Sequence, residues 1–194
     1  MGTGRLEAFS DGVIAIIITI MVLEFKVPQG GELASLKPLI PKLLSYILSF
    51  IYLGIYWNNH HHMLQAAKEV NGVSLWANLH LLFWLSLVPF VTAWMGENHF
   101  TKWPVALYGV VLLMAAISYT MLSKTLINNH NRNKSLAKAF EKDEKGKLSM
   151  VMYAVGIIFS FINQYISLVL FAVVAMIWFI PDKRIEKTLM NEEG

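Results

Sequence analysis

Polar and ionisable side chains open the first apolar segment of this chain of 194 residues. Residues 5–11 read RLEAFSD, and the segment then continues almost wholly apolar. Charge is costly inside a membrane, where ionisable groups pair with one another or serve transport. Arg5 and Asp11 lie about 9 Å apart along a helix axis and point in different directions. We therefore expect no direct ion pair between them, and each should find partners on neighbouring helices.

Further polar residues close the second apolar segment and open the third. They are Trp57, His60, His61, His62, Asn78 and His80. Because these segment ends share one membrane level with residues 5–11, we predict a polar network that joins three helices. Consecutive histidines point about 100° apart on a helix, so no metal site is predicted, and which histidine joins the network stays open. Glu7 is expected to be a solvated charge.

Other chemistry finds little support in the sequence. The chain has no cysteine, which excludes disulfides, thiolate metal sites and cysteine nucleophiles. No convincing spacing of serine and histidine, or of histidine and glutamate, indicates a catalytic centre. We therefore predict neither an enzyme nor a bound cofactor.

The composition indicates an integral membrane protein. Hydrophobic residues make up 56% and charged residues 15% of the chain, and the mean hydropathy is +0.51. Soluble domains carry about 25% charged residues. The isoelectric point near 9.0 is attributed to basic residues that face anionic lipid headgroups, and no nucleic-acid partner is expected. The length predicts one all-α domain over residues 1–194.

Six apolar segments are predicted to span the membrane. They cover about residues 6–25, 40–67, 73–95, 103–126, 148–163 and 166–180. Pro89 is expected to kink the third span. The last two spans are expected to form a tight hairpin, linked by Gln164 and Tyr165. The length of the first span and its ionic start argue against a cleavable signal peptide.

The distribution of lysine and arginine predicts the orientation. With six spans, 12 of the 16 basic residues lie on the side of the termini. They are Arg5, Lys68, Lys124, Arg132, Lys134, Lys138, Lys142, Lys145, Lys147, Lys183, Arg184 and Lys187. The positive-inside rule then places both termini in the cytoplasm.

An apolar stripe follows the polar start of the first span. Its members share one helix face by their spacing, and Gly12 begins it; they are Ile16, Thr19 or Ile20, and Leu23. Asp11 lies about 140° away from Ile16 around the helix. One face can therefore be held by the chain's own helices while another stays free. Periodicity alone also fits ordinary helix packing or lipid contact.

The pattern R-x-x-x-F-S-D at the start of a first membrane helix resembles the signature of the transmembrane protein 175 family. These are lysosomal and prokaryotic potassium channels. The six spans, the charged fourth loop and the short final hairpin extend the resemblance over the whole chain. With one six-helix repeat, the chain is similar to the prokaryotic members, which implies a homotetramer in a bacterial inner membrane.

The resemblance also implies roles for individual residues. Arg5, Phe9, Ser10 and Asp11 would hold the first helix against its own subunit. The first helices would line a central pore, with Ile16, Thr19, Ile20 and Leu23 at the constriction and potassium as the permeant ion. The chain has no TVGYG run, so we expect modest selectivity from partial dehydration at an apolar ring. Whether Thr19 or Ile20 faces the axis stays open.

Two classes of membrane transport compete with a potassium channel. Asp11 and the histidines could relay protons in a proton-coupled transporter or a proton-conducting pore. Transporters show broken helices in paired positions and ionisable groups at mid-membrane. Here only Pro89 interrupts a span, and the ionisable groups cluster near the cytoplasmic end. The sequence therefore favours a channel, while a non-conducting scaffold subunit is a third possibility.

Overall fold

Helices account for nearly all of the regular structure, as expected from the composition. The computed structural model describes residues 2–67, 69–128 and 144–179, and within these ranges it contains no strand. The helices are α1 (Gly4–Leu23), α2 (Ile40–Ala66), α3 (Gly72–Ser86), α4 (Val88–Glu97), α5 (Lys102–Asn128), α6 (Glu144–Phe159) and α7 (Gln164–Phe179). A 3₁₀ helix, Leu33–Leu39, precedes α2.

Four stretches of the described chain are long and apolar enough to cross a membrane. They are Gly4–Leu23, Leu33–Ala66, Gly72–Glu97 and Lys102–Ile127, and Gln164–Phe179 is a shorter apolar helix. This result confirms an all-helical membrane protein. The number of six spans stays a prediction, because α6 and α7 have 16 residues each.

The third span is divided in two at Leu87. Helix α3 ends at Ser86 and α4 begins at Val88, with Pro89 in the first turn of α4. Proline has no N–H to donate and its ring clashes with the preceding turn, so the regular hydrogen-bond pattern stops ahead of it. The sequence placed the interruption at Pro89, and the structure places it two residues earlier for this reason.

The last two helices turn earlier than expected. Helix α6 begins at Glu144 and ends at Phe159, and residues 160–163 form the turn in place of Gln164 and Tyr165. The carboxamide Oδ1 of Asn163 accepts the backbone N–H of Tyr165 at 3.0 Å. This contact satisfies a free donor at the start of α7, which fixes that start at Gln164. The expected end at Ile180 and most of the charged fourth loop lie outside the described residues.

Helices α2 to α5 form the core, and α6 and α7 pack against α5. Buried hydroxyl groups join these helices: Ser49 Oγ lies 2.7 Å from Thr92 Oγ1 and 3.0 Å from Tyr108 Oη. The hydroxyl of Tyr52 donates to the backbone oxygen of Phe171 at 2.6 Å. Hydrogen bonds between helices supply specific contacts in lipid, where apolar burial alone distinguishes poorly between partners.

Glycines allow α5, α6 and α7 to approach closely around Phe171. A Cβ at Gly156 would lie 2.5 Å from the ring of Phe171, and one at Gly109 would lie 2.7 Å from it. The ring is fully buried and has little room to move. Small residues at such crossings permit the close packing on which helix association in membranes depends.

We expect Gly156→Ala to destabilise the chain by about 1–3 kcal/mol, because the added methyl group overpacks the contact with Phe171. Thermal unfolding in detergent measures the effect. Gly54→Ala in α2 is the matched control, since a Cβ there meets no heavy atom within 4 Å. The control should be as stable as the parent or slightly more stable. Equal unfolding temperatures for both variants would contradict the packing argument.

Candidate functional site

Helix α1 is held on one face and open on the other. Its buried residues are Leu6, Ser10, Ile14, Ile17 and Met21, a spacing of three or four residues that follows the helical repeat. This face packs against α2, α3 and α4. The opposite face is exposed in the single chain and includes Ile16, at 58% exposure, and Leu23, at 78%.

A buried hydrogen-bonded chain of three side chains anchors α1 to the core. Asn78 of α3 donates from Nδ2 to Ser10 Oγ at 3.0 Å, and its Oδ1 lies 2.7 Å from Nε2 of His60 on α2. All three residues are fully buried, and Ser10 donates its own proton to the backbone oxygen of Leu6. Nδ1 of His60 has no hydrogen-bond partner among the described residues. The contacts through Nε2 of His60, Asn78 and Ser10 nevertheless join three helices and favour one arrangement of them.

Asp11 has a separate partner on α2. The indole Nε1–H of Trp57 donates to Asp11 Oδ1 at 3.0 Å. The expected absence of an Arg5–Asp11 pair agrees with this geometry, because the two side chains leave α1 in different directions. Among the described residues, Arg5 has neither a hydrogen bond nor an ion pair and is exposed.

Contrary to what the resemblance implied, Arg5 and Phe9 do not hold α1 against the other helices of the chain. Both residues are exposed, and at 100° per residue both fall within about 20° of Ile16 around the helix. They therefore share the open face with Ile16, whereas Ser10 and Asp11 lie on the side that meets α2 and α3. The four signature residues divide between two faces, because a helix cannot direct positions 5, 9, 10 and 11 to one side.

The three consecutive histidines separate as the helical repeat requires. His60 lies in the buried chain with Asn78, whereas His61 Nδ1 lies 2.7 Å from Glu7 Oε1. The ring of His62 packs edge-on against that of His61. The expectation of a solvated Glu7 is wrong, because its side chain is only 20% exposed and pairs with His61.

His80 does not belong to this polar cluster. Its Nε2 accepts the indole N–H of Trp84 at 3.0 Å, and its Nδ1 lies 3.0 Å from the hydroxyl of Ser118 on α5. Asn78 and His80 are two residues apart and so leave α3 about 160° apart. The sequence analysis expected both residues at one membrane level and offered His80 as a network partner, but the two side chains point to different neighbours.

Thr19 and Ile20 both lie on the open face of α1. The Thr19 hydroxyl is exposed and lies 3.0 Å from the backbone oxygens of Ala15 and Ile16. Because those carbonyls can only accept, the hydroxyl proton points to the backbone and the lone pairs of Oγ1 face outward. Ile20 is 42% exposed and, with Ile16, borders an open groove between α1 and α4.

Comparisons with known proteins identify relatives of this chain. The sequence model of the family described as "Endosomal/lysosomal potassium channel TMEM175" matches residues 5–89. A protein of a Chryseobacterium species named a potassium channel is 57% identical over 97% of this chain and 98% of its own length. A protein of Danio rerio named an endosomal/lysosomal proton channel is 26% identical over 92% of this chain and 37% of its own.

A solved structure resembles the whole fold. The crystal structure of a lysosomal potassium-selective channel TMEM175 homolog from Chamaesiphon minutus superimposes with a TM-score of 0.81 at 30% sequence identity. The match covers 93% of this chain and 97% of that one.

Proposed function

Because this chain belongs to the TMEM175 family of ion channels, we propose that it is a potassium-permeable cation channel of modest potassium selectivity and leak-like conductance. The observation that carries the proposal is the 57% identity to the Chryseobacterium potassium channel over nearly the full length of both chains. We place the channel in the bacterial inner membrane with both termini in the cytoplasm, as the lysine and arginine distribution favours.

The pore is formed by four copies of the chain, with the open face of α1 towards the axis. The assignment is supported by the exposure of Ile16, Ile20 and Leu23, which leaves this face of α1 free to meet neighbouring copies while its opposite face is packed against α2, α3 and α4. Four-fold repetition of Ile16 makes a narrow apolar ring that water leaves readily. Such a ring passes ions only when it is wide enough for them to keep part of their hydration shell.

Potassium selectivity arises from the cost of partial dehydration, which is lower for K⁺ than for the smaller Na⁺. Thr19 contributes oxygen ligands one turn from Ile16. The orientation of its hydroxyl proton towards the Ala15 and Ile16 carbonyls supports this role, because the outward lone pairs can accept only a cation or a donor. Ser10, Asn78, His60 and the Asp11–Trp57 pair fix the rotation of α1.

The proton-conducting alternative is not favoured. The relatives that this chain matches over most of their length are named potassium channels, whereas the Danio rerio proton channel is covered over 37% of its length. In addition, Glu7 and Asp11 lie on the side of α1 away from Ile16 and so outside the proposed pathway.

A planar bilayer recording of the purified protein under a gradient of KCl against NaCl tests the function. Discrete current steps with a reversal potential shifted towards that of K⁺ are expected. Tracer flux with a turnover that saturates at low rates, without current steps, would indicate a carrier. A protein that inserts as a tetramer yet carries neither current nor flux would refute the channel.

We expect Thr19→Val to lower the ratio of K⁺ to Na⁺ permeability, because the methyl group removes the only side-chain oxygen on the stripe while keeping its shape. Reversal potentials under bi-ionic conditions measure the ratio. Thr19→Ser, which keeps the hydroxyl, is the matched control and should retain selectivity. If Thr19→Val selects as well as the parent, the oxygen ligands are not part of the pathway.

A further inference from the structure

Three side chains with metal-ligating atoms meet between α1 and α2, and none of them belongs to the proposed pore lining. They are Glu7, Asp11 and His61, and one ligand atom of each lies within 4.8 Å of those of the other two. We propose that this cluster, here called the α1–α2 cation site, binds a divalent transition-metal ion of the Zn²⁺ type. The proposal does not depend on the channel function.

The positions of the three residues on their helices bring the ligand atoms together. Glu7 and Asp11 are four residues apart and so lie on one face of α1, with His61 of α2 opposite. Glu7 Oε1 is already 2.7 Å from His61 Nδ1. Zinc with bonds of about 2.0–2.2 Å holds its ligand atoms about 3.3 Å apart in a tetrahedron. Side-chain rotations that move the ligand atoms by about 1.5 Å or less therefore suffice, and water takes the fourth position.

Neighbouring groups orient two of the three ligands. The Trp57 indole holds one carboxylate oxygen of Asp11 at 3.0 Å, which leaves the second oxygen for an ion. The Gln65 amide contacts Nε2 of His61 at 2.9 Å, so Nδ1 is the nitrogen that faces the carboxylates. The Trp57 ring also stacks on that of His61. Fixed outer partners of this kind characterise metal-binding histidines and carboxylates.

The donor set selects the class of ion. Two carboxylates neutralise a divalent charge, which makes the site electrically balanced when it is filled. Imidazole nitrogen suits Zn²⁺ and its neighbours in the transition series, whereas Mg²⁺ and Ca²⁺ prefer oxygen ligands alone. The three side chains are partly buried, which excludes much of the competing water. A bound ion would tie α1 to α2 on the side away from Ile16.

Calorimetric titration of the tag-free, detergent-purified protein with ZnCl₂, after removal of bound metal with EDTA, tests the site. One tightly bound Zn²⁺ per chain is expected. Glu7→Gln and His61→Gln should each weaken that binding by at least about tenfold. His62→Gln is the matched control, because its ring adjoins His61 but contributes no ligand atom to the site. Size-exclusion profiles verify that each variant is folded.

Several results would overturn the proposal. They are the absence of saturable Zn²⁺ binding, equal affinity in the parent and in Glu7→Gln, a loss of affinity in His62→Gln, and displacement of Zn²⁺ by equimolar Mg²⁺. If His61→Gln does not fold, Glu7→Gln decides the question. Titration with Co²⁺ gives a second readout, since its visible absorption reports nitrogen and carboxylate coordination and should disappear in Glu7→Gln.

Discussion

Replacing Ile16 by asparagine should raise the conductance several-fold and bring the permeabilities of K⁺ and Na⁺ close to each other. The apolar ring is proposed to exclude water unless it is open, and an amide of similar length wets the ring and removes the dehydration barrier. Single-channel recordings and bi-ionic reversal potentials measure both effects.

Val22→Asn is the control for this substitution. Val22 is 50% exposed on the same helix, compared with 58% for Ile16, but it lies about 120° away around the axis. It introduces the same amide at similar exposure and should leave selectivity unchanged. Parental currents in Ile16→Asn, or the same gain of conductance in Val22→Asn, would remove Ile16 from the constriction.

Asn78→Leu should cost about 2–4 kcal/mol of stability, because it leaves buried polar groups on two helices without a partner. Ser10 loses the donor on Asn78, and His60 loses the oxygen that its Nε2 contacts. Leucine has the same branching as asparagine but larger terminal groups, so the loss combines unpaired polar groups with some overpacking and leaves no cavity. Thermal unfolding in detergent, followed by intrinsic fluorescence, gives the magnitude.

The same substitution at Asn58 provides the comparison. Asn58 lies on α2 close to His60, is only partly buried and has no hydrogen bond among the described residues. Asn58→Leu should unfold within about 0.5 kcal/mol of the parent. If the two leucine variants unfold at the same temperature, the buried chain of Ser10, Asn78 and His60 does not anchor α1.

The sequence predicts where the polar side chains lie along their helices, but it does not predict which neighbouring helix each side chain faces. The ends of the apolar segments place Ser10, Asn78 and the histidines at one level, and the structure brings Ser10, Asn78 and His60 into contact. Choosing His60 over His61 requires the rotation of α2 relative to α1, which depends on packing between helices. The Glu7–His61 contact was missed for that reason.

Some of the missing directions were nevertheless within reach of helix arithmetic. Arg5 and Phe9 recur every four or seven residues with Ile16, which already assigns them to the open face of α1. The family motif suggested one common role for its four residues, although they divide between two faces of α1. A motif indicates which residues matter, whereas the helical repeat indicates which of them can act together.

The hydropathy of the sequence also does not predict where the helices near the charged loops begin and end. Helix α6 begins at Glu144, four residues before the apolar segment that predicts it. Charged residues end a membrane-embedded segment, but they are good helix formers and continue the helix into water. The start of α7 depends instead on the Asn163 cap, a sequence signal that a hydropathy pattern does not include.

The interruption at Leu87 divides the third span into two arms with different neighbours on α1. Helix α3 carries Asn78 and so shares the anchor of α1, whereas α4 borders the groove next to Ile16 and Ile20. Both arms are fixed to α2, α3 through the contact of Asn78 with His60 and α4 through the hydroxyl pair of Thr92 and Ser49. The surroundings of Ile16 therefore depend on two separate attachments of one span.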